Sequence, residues 1–152
     1  MTVSEEPDFV GPMYFDASAL LKVYVPSQFS KTLNRTLRER TDLFVSELSV
    51  TEVTAAICRL RREGVMTHRD IKHVHDRLLL DVAEGIFEQI ELTTAVHRDT
   101  EKFLLAAEGI ELRAGDALHL ALAIAAKCRT MITYDRRLAE ASRRYGLIVY
   151  PE

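Results

Sequence analysis

Two patterns alternate along this chain and leave few folds open to it. Short runs rich in β-branched and aromatic residues are separated by longer segments with apolar residues at helical spacing. The runs are MYF (13–15), LFVS (43–46), IFEQIEL (86–92), TMITY (130–134) and LIVY (147–150). Between them lie ASALLKVYV (17–25), the amphipathic SKTLNRTLRER (30–40) and SVTEVTAAICRLRREG (49–64), followed by a segment that starts near Thr67 and runs through HRDIKHVHDRLLLDVA (68–83). AVHRDTEKFLLAAEG (95–109), RAGDALHLALAIAAK (113–127) and DRRLAEASRRYG (135–146) complete the set. Period-two runs are read as strands and the rest as helices, with Pro26 closing the first helix and Gly64 the helix that follows LFVS. Strands joined through helices run parallel, and a parallel sheet must be covered on both faces. The expectation is a three-layer α/β/α domain with a central parallel sheet, in which 113–127 is the most buried helix.

The chain has 152 residues and 47% hydrophobic content, enough for one core and too few for two. The domain is assigned to 13–152 and a polar, flexible leader, MTVSEEPDFVGP, to 1–12. The formal charge of −3 is no argument against a nucleic-acid partner. Glu5, Glu6 and Asp8 of the leader account for the whole excess of acid, so the folded part is balanced and the local placement of charge matters more than the sum. Cys58 and Cys128 have neither CxxC spacing nor histidines at ligand intervals, so neither a zinc site nor a disulfide framework is suggested, and buried thiols in a reducing cytosol are expected. No stretch reaches the ~18 apolar residues of a membrane span, and the leader lacks the basic start and apolar core of a secretory signal. A cytoplasmic location is expected.

Open parallel sheets place their sites where strands end and the next helices begin. Asp16 follows MYF, Asp135 follows MITY, Asp116 opens the buried helix, and Glu52 lies in the first turn of the helix after LFVS. Each has a structural reading as well. Asp16 and Asp135 suit N-caps, Asp116 with Gly115 suits a helix start, and Ser49 with Glu52 spells an S-x-x-E capping box. Glu47 is placed in an exposed loop before the helix. His119 shares a helix face with Asp116 and reads alone as a packed or hydrogen-bonded histidine.

Taken together, the four acids carry a resemblance. MYFDASALLKVY, VSELSVTEVTAAICR, LRAGDALHLALA and MITYDRRLAEAS occur in the order, and with the intervening elements, of the PIN-domain ribonucleases, especially the VapC-type toxins of bacterial toxin–antitoxin pairs. The resemblance covers nearly everything after the leader. It places the acids of that family on Asp16, Glu52, Asp116 and Asp135, its common histidine on His119 and a hydroxyl residue on Thr133. It implies a ribonuclease that is homodimeric, is inhibited by a small antitoxin and acts on structured RNA such as tRNA or rRNA.

Charge carries the chemistry further. Like unit charges about 4 Å apart repel by ~4 kcal/mol at an effective dielectric of 20, so clustered carboxylates call for a cation or protonation. Oxygen-only donors favour a hard ion, Mg²⁺ or Mn²⁺, which polarises a phosphate and lowers the pKa of a water. Asp16, Asp116 and Asp135 are the expected direct ligands, with one or two ions left open. Glu52 either binds through water or orients the attacking water. Ser18 and Thr133 are placed to hydrogen-bond the acids or the substrate. Arg59, Arg61, Arg62, Arg136 and Arg137 are candidates for RNA phosphate contacts, and Arg143 and Arg144 read as a solvated face. The alternatives are an RNA-processing nuclease without an antitoxin and a non-catalytic binding module. A haloacid-dehalogenase phosphatase also starts on strand-Asp but needs a second acid where this chain has Ser18.

Overall fold

The computed structural model describes residues 9–25 and 30–151. Glu5, Glu6, Asp8 and Pro26 lie outside the described residues. The elements run β1 (Met13–Phe15), α1 (Ala17–Tyr24), α2 (Ser30–Leu37), β2 (Leu43–Ser46), α3 (Glu47–Arg62), α4 (His68–Ala83), β3 (Glu88–Ile90), α5 (Thr94–Ala106), α6 (Ala114–Ala125), β4 (Thr130–Ile132), α7 (Arg136–Arg144) and β5 (Ile148–Tyr150). The strands form one all-parallel sheet in the order β3-β2-β1-β4-β5. Among the described residues no helix is long and apolar enough to cross a membrane.

Alternation along the strands divides the core. Met13 and Phe15 of β1, with Ile132 of β4, face a cluster that includes Leu20, Leu33, Val53 and Leu78 of α1 to α4. Tyr14 and Met131 face the opposite way, toward Val96, Leu120, Leu122 and Leu138 of α5, α6 and α7. Side chains one residue apart on a strand must point to opposite faces, so a three-residue strand is enough to hold both helix layers. Helix α6 lies against the sheet with Ala117, His119, Leu120, Ala121, Leu122 and Ala123 all buried, more than in any other helix.

Two boundaries differ from the sequence reading. Phe9 is buried, meets Tyr150 edge-on at 4.5 Å and accepts a hydrogen bond on its carbonyl from Arg40 Nη1 (3.0 Å). Thr130 Oγ1 donates to the Val10 carbonyl at 2.5 Å, and the Pro12 carbonyl accepts from the Arg129 and Thr130 N–H groups. Residues 9–12, assigned to the flexible leader, are therefore packed onto the domain. Helix α3 begins at Glu47, which is exposed but helical rather than in a loop, because the Ser46 side chain accepts from Ser49 N and caps the helix a turn early.

The strand order reverses beside β1, where β2 leads toward one edge and β4 toward the other. That topological switch leaves a crevice outside the carboxyl ends of β1 and β4. Asp16 and Asp135 stand there.

Candidate active site

In the β1–β4 pairing Phe15 lies opposite Ile132, so the next residues, Asp16 and Thr133, emerge side by side at the carboxyl edge. Thr133 Oγ1 donates to Asp16 Oδ2 at 2.6 Å and accepts the Asp135 N–H at 3.0 Å. Ser18 Oγ lies 2.7 and 2.9 Å from the two oxygens of Asp16, and accepts the Tyr134 N–H. Asp16 also caps α1 by accepting from Ala19 N at 2.9 Å. Only 4% of Asp16 is exposed. Burial pushes its pKa up, and the hydrogen bonds from Thr133, Ala19 and Ser18 pull the other way without cancelling that rise.

Asp135 is the N-cap of α7, its Oδ1 accepting from Arg137 N and Leu138 N. Asp116 is not the N-cap of α6. That position is Arg113, and Asp116 sits three residues on, with Oδ2 accepting the Arg113 N–H at 3.2 Å. In each of these acids one oxygen makes the helix-start bonds, so the cap does not use the other. Burial first, then the backbone bond from Arg113, then the charge of Asp135 act on Asp116. The two raising effects prevail, and Arg137 and His119 offset them in part.

Glu52 is held from below. Its Oε1 lies 2.6 Å from His119 Nε2, and His119 Nδ1 lies 2.8 Å from the Tyr14 hydroxyl. Tyr14 in turn reaches Ser46 Oγ (2.8 Å) and Ser49 Oγ (3.3 Å), while Ser49 Oγ donates to the Phe15 carbonyl. Ser49 gives its proton to the Phe15 carbonyl and so donates to neither Tyr14 nor Ser46. A carboxylate only accepts, so His119 donates to Glu52 through Nε2–H, and a Tyr14 hydroxyl that donates to Nδ1 completes the chain. Burial raises the Tyr14 pKa well above its ordinary value, which keeps the phenol a donor. The Glu52 side chain is 42% exposed and that of His119 5%, so a buried chain presents a carboxylate to solvent. The S-x-x-E capping box does not form. Ser46 is the cap, and Glu52 points to His119 instead of back to Ser49.

Sequence reasoning missed Tyr14 and Ser46 because both read as strand residues, and their partners lie 32 and 105 positions from Tyr14. The available signal was a tyrosine in a wholly apolar strand, whose buried hydroxyl must find a partner.

Of the arginines, Arg136 and Arg137 flank Asp135 on a cleft of about 520 Å³, which is also lined by Glu111, Tyr134 and Glu140. A second cleft of about 430 Å³, lined by Arg136, Arg143 and Thr133 among others, lies on the other side of Asp135. Arg59, Arg61 and Arg62 are not brought to the acids. They fall in the last turn of α3, about 10–15 Å along the axis from Glu52, with Arg61 beside His68. A larger cavity, about 740 Å³, lies against Tyr24, Asp81, Leu43 and Phe87 and includes none of the acids. Size does not select the site.

Among the described residues no three His, Cys, Asp or Glu side chains are gathered tightly enough to hold an ion by themselves. The three expected ligands are thus not a preassembled set, and Asp16 is engaged with Ser18, Thr133 and Ala19 N. The donor chemistry nevertheless fits a hard divalent cation. All the donors are carboxylate oxygens, Asp116 and Asp135 repel each other, and Asp16 and Asp116 are both raised by burial, a penalty that a cation relieves.

Acids ordered in this way at the switch point of a parallel sheet define a PIN domain, and the sequence pattern of that family matches residues 13–144; the chain belongs to it. It is 30% identical over 145 residues to ribonuclease VapC46 of Mycobacterium tuberculosis, covering 90% of this chain and 95% of that one. Among solved structures it is similar to FitAcB from Neisseria gonorrhoeae, with TM-score 0.67 at 17% identity over 91% of this chain and 96% of that one. It is also similar to M. tuberculosis VapC20, described as a sarcin-ricin loop cleaving toxin, with TM-score 0.65 at 12% identity over 85% and 94% of the two chains. At such identities the solved structures speak for the fold alone.

Proposed function

We propose that this chain is a metal-dependent endoribonuclease acting as the toxin of a toxin–antitoxin pair. The observation that carries the reading is the gathering of Asp16, Thr133 and Asp135 by hydrogen bonds across β1 and β4, with Asp116 in electrostatic contact with Asp135 and Glu52 presented by His119. The relative named as a ribonuclease supports the reaction class.

Asp16, Asp116 and Asp135 would hold Mg²⁺ or Mn²⁺. The ion, when bound, supplies Lewis-acid polarisation of the phosphate and eases deprotonation of a water. Thr133 and Ser18 fix the orientation of Asp16, and Thr133 ties that acid to the start of α7. Glu52, exposed at its tip and anchored by the Nε2–H of His119, orients the attacking water and accepts its proton. Arg136 and Arg137 contact RNA phosphates beside Asp135, giving affinity with little sequence information. The partners are a structured RNA such as tRNA or rRNA, a second copy of the chain and a small antitoxin, all in the cytoplasm.

The test is to induce wild type and Asp16→Asn separately in cells and map new RNA 5′ ends. Growth arrest with discrete cuts from wild type alone, suppressed by a co-expressed upstream reading frame, is the expected result. Identical RNA profiles overturn it.

A further inference from the structure

One carboxylate bridges the two site-bearing helices from outside the acid cluster. Glu111 lies in the connection between α5 and α6. Its Oε1 is 3.6 Å from Nη2 of Arg113, the N-cap of α6, and its Oε2 is 3.6 Å from Nε of Arg137 in the first turn of α7. Arg137 is the same side chain whose charge acts on Asp116, so the bridge ends at the acids themselves.

Two properties argue against a purely structural role. Both distances exceed hydrogen-bond reach, and the Glu111 side chain is 72% exposed, so the pairs are solvent-screened and add little to folding. An acid on the wall of a cleft that receives a polyanion also opposes binding, unless it is displaced when the polyanion arrives.

We infer that Arg113 and Arg137 form a phosphate subsite next to the scissile bond, and that Glu111 occupies it in the RNA-free protein as a stand-in for the phosphodiester. A carboxylate offers two oxygens on one centre, as do the two non-bridging oxygens of a backbone phosphate, and each oxygen of Glu111 already faces a different guanidinium. Glu111 and Arg137 line the cleft beside Asp135, and an RNA phosphate entering it would take the place of the carboxylate between the two guanidinium groups. This inference rests on the ribonuclease reading and adds to it Arg113 as an RNA contact and Glu111 as the group that RNA displaces.

The test measures binding of labelled tRNA, and of labelled rRNA beside it, across a salt series in Mg²⁺, in an Asp135→Asn background that prevents cleavage. Glu111→Gln should tighten binding about two- to fivefold at low salt, the range corresponding to loss of a weak exposed ion pair. Arg113→Ala should weaken binding and reduce the slope of log K against log salt by about 1. In a protein lacking both Arg113 and Arg137, Glu111→Gln should have no further effect. Weaker or unchanged binding from Glu111→Gln overturns the inference, and so does a gain that persists without the two arginines, since that would report net charge alone. Failure of the parent protein to bind either tRNA or rRNA at any salt overturns the ribonuclease reading itself and the subsite with it.

Discussion

At the scale of single residues the site holds uncompensated charge. Asp16 and Asp116 sit higher in the folded protein than in an unfolded chain, chiefly through burial. A carboxyl raised in this way favours folding while it is protonated. Its contribution is full below the ordinary carboxylate range and is lost as pH rises through the raised value. Asp116→Asn keeps an oxygen for the Arg113 N–H and removes the charge. In EDTA at neutral pH it should therefore melt above wild type, and the gap should close as pH falls below the ordinary carboxylate range; a wild type that melts higher at neutral pH contradicts this. The chain from Tyr14 through His119 to Glu52 makes a second prediction. Tyr14→Phe leaves His119 Nδ1 without its donor and should lower kcat about tenfold through misorientation of Glu52, with KM little changed, whereas Glu52→Gln should cost about 10²–10⁴ in kcat. Equal and small effects of both substitutions in steady-state kinetics would remove Glu52 from the reaction. The places of Asp16, Asp116 and Asp135 were legible in the sequence because each stands where a strand ends or a helix begins, whereas Glu52 lies in the second turn of α3 and not, as expected, in its first. The wiring beneath them was not legible, since hydroxyl and imidazole partners are brought together by the fold rather than by spacing.

At the scale of elements, α6 supports the most. Leu120 is fully buried in the middle of that helix, and Leu120→Ala should destabilise the domain by ~2–5 kcal/mol in denaturant melts. The end of α6 is less well chosen. Lys127 has φ of 58° while its N–H bonds the Ile124 carbonyl and Cys128 N bonds the Ala123 carbonyl, a C-terminal turn that glycine adopts freely. Lys127→Gly should raise stability by about 1 kcal/mol, and a loss would show that the lysine side chain has a compensating role. Periodicity exposed these helices because each buries one face against the sheet. It failed at ends decided by a single hydroxyl, as at Ser46, and at the edge strand β3. That strand is confined to Glu88–Ile90, since Ile86 is exposed outside it and Phe87 turns into the core. The packing of Phe9 against Tyr150 likewise left no sign in an otherwise polar leader.

At the scale of the whole molecule, a sheet ordered β3-β2-β1-β4-β5 brings to one crevice acids that are 100 or more residues apart in the chain, such as Asp16 and Asp135. A cation bound there stabilises the native state by an amount that grows with the logarithm of its concentration above Kd, ~2.7 kcal/mol at a hundredfold excess. Mg²⁺ should thus raise the Tm of wild type and raise that of Asp116→Asn much less; an equal rise in both would mean that the ion binds elsewhere. On the proposed function these acids form one metal-dependent centre for RNA cleavage. The most direct test is cleavage of RNA by the purified protein in EDTA and after addition of Mg²⁺ or Mn²⁺, beside folded Asp16→Asn and Asp135→Asn proteins. Cleavage should be absent in EDTA, return with either ion in wild type, and stay absent in the variants. Cleavage that survives rigorous chelation, or that the variants retain, would contradict the proposed function.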